Sequence, residues 1–164
     1  MRKEARRDVV LVLIISLISA AGVASVFTDC RILAWTSILF SDSYLCLVLL
    51  FAALRSEDER FLNRHPWIAH LFPRRAAGLL IVTLLWVAVL SGFAGLYLGR
   101  EVFASIKSPL DAIYTSVFTL ALTDYSPKPG YGQIVVIGEV VSGFLLLVAL
   151  FPLLISRIST FKNP

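Results

Sequence analysis

Residues 109 to 135 read PLDAIYTSVFTLALTDYSPKPGYGQIV, and the length of their apolar part decides the fold. Pro109 to Leu122 is a stretch of about 14 residues that opens on a proline, has an acidic first turn at Asp111 and carries the polar Thr115, Ser116 and Thr119. A helix needs about 20 residues to cross a hydrocarbon layer roughly 30 Å thick. This one is too short to span. The economical reading is a re-entrant helix that enters from one side and turns back, which lipid tolerates only where protein or a watery cavity shields the buried end.

On either side of it lie runs that are long enough. Val9 to Phe27, Ile32 to Leu54 and Ala76 to Leu98 each cross outright, and a fourth runs from about Gln133 to Ser156. The composition agrees: 58% of the 164 residues are hydrophobic, and the mean hydropathy is +0.84, far above a soluble domain. The predicted fold class is an all-α membrane protein with four transmembrane helices plus one re-entrant helix. It divides into a two-helix hairpin over 1–55, a linker over 56–75, a module of outer, short and inner helices over 76–158, and a tail over 159–164. The amino-terminal MRKEARRD and its apolar run can be read as a cleavable signal, with the small residues 21–25 as the cleavage site. The run is as long as a full span, which favours a retained first helix.

Orientation follows from the basic residues, because basic loops stay on the cytoplasmic side. Arg2, Lys3, Arg6, Arg7, Arg55, Arg60, Arg64, Arg74, Arg75, Arg157 and Lys162 fall on one side, against Arg31, Arg100, Lys107 and Lys128 on the other. Both termini are therefore expected in the cytoplasm, with the chain a multi-pass protein of the inner membrane. This asymmetry accounts for the pI of about 9.3 without a nucleic-acid partner, and it suits anionic lipid headgroups.

Enzymatic chemistry finds no footing. Cys30 and Cys46, sixteen residues apart, would sit roughly 24 Å apart along a helix, too far for a disulfide within one chain. No spacing suggests a metal site, a serine nucleophile or a phosphate loop, and no cofactor is implied. His65 and His70 both lie in the linker rather than in a span. The chain also lacks the regularly spaced arginines of a voltage sensor.

Three places interrupt the apolar spans. Asp42, within Ser41-Asp42-Ser43, is either buried and paired, with a hydroxyl, a backbone group or a neighbouring chain's Arg31 as partner, or close to the outer surface with Ile32 to Phe40 lying in the interface. Glu139, two turns into the last span, needs either a partner, for which Thr115, Ser116 and Thr119 are the candidates, or protonation. Gly143 is either a hinge or a site of close packing. Gly92, Gly95 and Gly99 in the third span have a spacing that lets helices approach closely, and Gly95 and Gly99, followed by Arg100-Glu101, equally mark a place where the helix frays. The linker, RSEDERFLNRHPWIAHLFPRR, is expected as an amphipathic interfacial piece or a docked connector, with Arg60, His65, Trp67, Arg74 and Arg75 facing headgroups or a cytosolic protein partner.

The 109–135 segment resembles the pore region of potassium channels. Asp111, Ala112, Tyr114, Ser116, Thr119 and Leu120 fit that family's pore helix, and Asp124, Tyr125, Ser126, Pro127, Lys128, Gly132 and Gln133 fit the part after its filter. Glu139 and Gly143, four apart, and Leu154-Ile155-Ser156-Arg157-Ile158 resemble its inner helix. The resemblance covers roughly Ala76 to Ile158 and implies a homotetramer around the last helix, with monovalent cations as ligands.

The departure from that pattern is equally informative. Where the family has Thr-Leu-Thr-Thr-Val-Gly-Tyr-Gly-Asp, this chain has Thr119-Leu120-Ala121-Leu122-Thr123-Asp124, three residues shorter and without glycine. Potassium filters replace the hydration shell with stacked carbonyls, and glycine permits the backbone conformations that stacking requires. Thr119, Leu122, Thr123 and Asp124 would form instead an apolar constriction below hydroxyls and carboxylates, although Asp124 can equally brace the short helix. Two functions stay open: a cation channel that conducts at most weakly or without selectivity, and a non-conducting, channel-derived sensor that signals to a cytosolic partner, as in a bacterial stress or phage-defence system.

Overall fold

The computed structural model describes residues 2–57, 75–99, 102–119 and 126–161. Those residues form five α-helices and no strand: α1 (Arg2–Thr28), α2 (Arg31–Glu57), α3 (Arg75–Leu98), α4 (Pro109–Thr119) and α5 (Tyr131–Phe161). Four of them, all but α4, are long and apolar enough to cross a membrane. The chain is thus an all-α, multi-pass membrane protein by composition and length.

The short turn between α1 and α2 is closed by Asp29, whose φ of 51° lies in the left-handed region. Aspartate tolerates that conformation because its short polar side chain can bond locally. From Arg31 α2 runs unbroken past Asp42, so Ile32 to Phe40 forms one helix with the residues that follow. Beyond the sequence expectation, α5 continues to Phe161, into the predicted tail.

The helix at the centre is α3. Over its spanning part 56% of the residues are buried, against 28% to 33% in α1, α2 and α5. Both amino-terminal helices pack on it. Small residues bring the backbones together, since a Cβ on Gly95 would stand 2.3 Å from Ser25 Oγ of α1, and one on Gly92 would stand 3.2 Å from the Ala34 carbonyl of α2. Packing is therefore what these glycines do. Gly99 follows the last residue of α3, and its N–H bonds the Leu96 carbonyl at 3.2 Å.

Side-chain hydroxyls from three helices converge on α3 carbonyls. Ser19 Oγ of α1 donates to Leu84 O at 2.6 Å, Ser37 Oγ of α2 to Ala88 O at 2.8 Å, and Ser116 Oγ of α4 lies within hydrogen-bond distance of Leu90 O, at 3.0 Å. In lipid, where apolar contact alone does not favour protein over solvent, such bonds contribute about 0.6 kcal/mol each and fix helix rotation.

Candidate functional site

The short helix α4 is set by its own start signals. Ser108 Oγ accepts the Asp111 N–H at 3.1 Å, the Ser108 carbonyl accepts the Ala112 N–H at 3.1 Å, and Pro109 occupies the first helical position, where its missing N–H costs nothing. On the other side of the loop, Gln133 Oε1 accepts the Gly130 N–H at 3.3 Å, half of a capping box that opens α5. Gly130 has a φ of +82° with open space around it, a conformation that glycine adopts freely. The two loops are tied by the Lys128 N–H donating to Val102 O at 2.9 Å.

Ser116 places the lower part of α4 in depth. Its hydroxyl reaches Leu90 O of α3 and Glu139 Oε1 of α5. Leu90 lies eight residues before the end of α3 and Glu139 eight residues after the start of α5, so by either helix Ser116 sits about 12 Å below their common end. The described part of α4, which runs to Thr119, therefore reaches at least that far down beside the apolar stretches of α3 and α5.

Glu139 is the centre of the site. It is fully buried, and both its oxygens are engaged: the Tyr97 hydroxyl of α3 donates to Oε2 and Ser116 of α4 to Oε1. Tyr97 is itself held edge-on to Phe103, with ring centroids 4.9 Å apart. Three helices thus meet on one carboxylate, which a buried acid requires, since each lone pair left without a donor is costly. Of the three expected partners, Ser116 is found at the carboxylate. Thr115 and Thr119 turn their hydroxyls to backbone carbonyls of their own helix, those of Asp111 at 2.7 Å and Thr115 at 2.8 Å. Thr119, buried, also stands within reach of the Tyr97 hydroxyl.

Tyr97 was the partner that sequence reasoning missed. The available signal was a phenol inside an otherwise apolar run, because a buried tyrosine hydroxyl needs a partner.

Asp42 is paired with a hydroxyl, as one of its readings required: Ser142 Oγ of α5 donates to Asp42 Oδ2 at 2.6 Å. Gly143 is buried within α5. Leu122, Thr123 and Asp124, together with Arg60, His65, Trp67 and Arg74, lie outside the described residues, and Arg75 is the first residue of α3. Among the described residues no group of three or more His, Cys, Asp or Glu could hold a metal ion.

Within one chain, α4 and α5 leave large apolar side chains uncovered, among them Leu110, Tyr114, Ile134, Ile137, Phe144 and Leu147. No known protein family, curated protein or solved structure matches the chain.

Proposed function

We propose that the chain assembles as a potassium-channel-like homotetramer in which α4 is the re-entrant pore helix and α5 the inner helix. The pore conducts monovalent cations at most weakly or without selectivity. The observation that carries this reading is the depth of Ser116, about 12 Å below the common end of α3 and α5: a helix of 11 described residues is too short to cross, and one that dips so far into lipid needs protein or water around its inner end. Fourfold assembly around α5 supplies the missing cover, and it accounts for the uncovered faces of α4 and α5 in the same step. The carboxyl end of α4 also carries a partial negative charge, which favours cations at the axis.

Weak conduction follows from residues 119–124, which have neither the length nor the glycines for a stack of carbonyl sites. The same feature favours a second reading, a non-conducting membrane sensor that signals to a cytosolic protein through the linker.

Cation flux into liposomes holding the purified protein separates the two. Leak that rises in Leu122→Ala and falls in Asp124→Asn supports the pore. Sealed vesicles with every variant, together with saturable capture of one soluble protein, support the sensor. A monomer in native mass spectra from lipid nanodiscs would sink both assemblies.

A further inference from the structure

The α2–α5 contact contains a carboxylate that packing alone does not explain. Asp42 lies eleven residues into α2, about 16 Å along the axis, at a depth where an ionisable group is costly. Its Oδ2 accepts the Ser142 hydroxyl at 2.6 Å, while its Oδ1 is buried and has no hydrogen-bond partner among the described residues. Ser142 also reaches the Gly138 carbonyl of its own helix at 2.9 Å, a bond that it could make without Asp42. An aliphatic residue at position 42 would fill the same contact without desolvating a carboxyl group. What the aspartate adds is direction: it fixes α2 in rotation and depth against one turn of α5, at little net stability.

That turn is a sensitive one. Ser142 stands three residues from Glu139, on the same side of α5, and immediately before the buried Gly143. Glu139 anchors α5 to α3 and α4; Ser142 anchors it to α2. Beyond these two points Leu145 to Leu154 offers no polar side chain to any neighbour. α2 in turn packs on α3 and on α1.

We propose that Asp42 is a positioning residue: through its hydrogen bond with Ser142, the amino-terminal helix pair sets the position of α5. The consequence for a pore rests on α5 being its inner helix, as proposed above, whereas the coupling itself belongs to a single chain. Displacing the α1–α2 pair then moves the inner helix at the turn that precedes Gly143, and no separate sensor domain is needed to pass a change in the bilayer to the pore.

Spin-label distances within one chain test this. In full-length protein carrying C30S and C46S, in nanodiscs and diluted with unlabelled chains, the pair L17C and L147C reports α1 to α5, and the pair L17C and L80C reports α1 to α3. All three leucines are exposed. D42A and S142A should each shift and broaden the first distance while leaving the second unchanged; the double variant should shift it no further than either single, and D42N, whose amide oxygen still accepts from Ser142, should restore it. An unchanged first distance in S142A, or shifts that add in the double variant, would overturn the proposal. Where D42A fails to accumulate, S142A against S142T, which keeps the hydroxyl, gives the same comparison. Because both pairs lie within a chain, a monomeric protein would remove the proposed assembly and leave this result readable.

Discussion

Tyr97 and Glu139, 42 residues apart, meet through a buried hydrogen bond from the phenol to Oε2, and Ser116 takes the other oxygen. The carboxylate thereby locks the ends of α3, α4 and α5 into one register. Removing it should be worse than removing either donor, because the Tyr97 hydroxyl loses its acceptor, Ser116 falls back on Leu90 O alone and the link between the three helices is cut. Glu139→Ala is expected to cost about 3 kcal/mol, at the upper end for stranding buried polar groups, and Tyr97→Phe about 1 to 2 kcal/mol. Thermal unfolding in detergent measures both, and a cycle with the double variant should show coupling of at least about 0.5 kcal/mol. Additive effects would mean that the pair does not act as drawn.

The α1–α3 contact has room for hydrogen and nothing larger at one point. A Cβ on Gly95 would come within 2.3 Å of Ser25 Oγ and 3.1 Å of its Cβ, whereas on Gly138 it would meet only the Phe93 ring at 3.8 Å. Gly95→Ala should destabilise by about 1 to 3 kcal/mol, and adding Ser25→Ala should return part of the loss. Gly138→Ala should be neutral or stabilising by up to about 1 kcal/mol, through helix propensity. Equal effects at the two glycines would contradict the packing described.

Serine hydroxyls that cross between helices should count for more than those that fold back on their own. Ser37 donates to α3, while Thr36 donates to Ile32 O within α2 and is exposed. Ser37→Ala is expected to cost about 0.6 kcal/mol or somewhat more, and Thr36→Val to be close to neutral. Chemical denaturation in mixed micelles resolves the difference.

The two free cysteines report topology. Cys30 lies in the turn between α1 and α2, and Cys46 is an exposed position deep in α2. The orientation expected from the basic residues, with both termini cytoplasmic, predicts that a membrane-impermeant maleimide added to spheroplasts labels Cys30 and leaves Cys46 unmodified until the bilayer is dissolved. Labelling of Cys30 only after permeabilisation would reverse the orientation.

Much of the architecture was legible because its causes are local. Span number follows from run length, and the start of α4 from Pro109 and Asp111, with Ser108 completing the cap. Whether Gly95 and Gly99 mark packing or fraying was not legible, since glycine serves both and only the neighbouring backbone distinguishes them. The partner of Asp42 was likewise open until α5 brought Ser142 to it.

By itself the chain determined which of the described helices are long enough to cross and where the short one begins, since hydrophobic length and capping chemistry act within a few residues. Only the tertiary structure decided that α3 lies at the centre, that Tyr97 joins Ser116 on Glu139 and that Asp42 finds Ser142. The reason is physical: a spanning helix is apolar on the face it gives to lipid and on the face it gives to protein. Its rotation, and with it the partner of every buried polar group, is therefore settled by packing rather than by pattern.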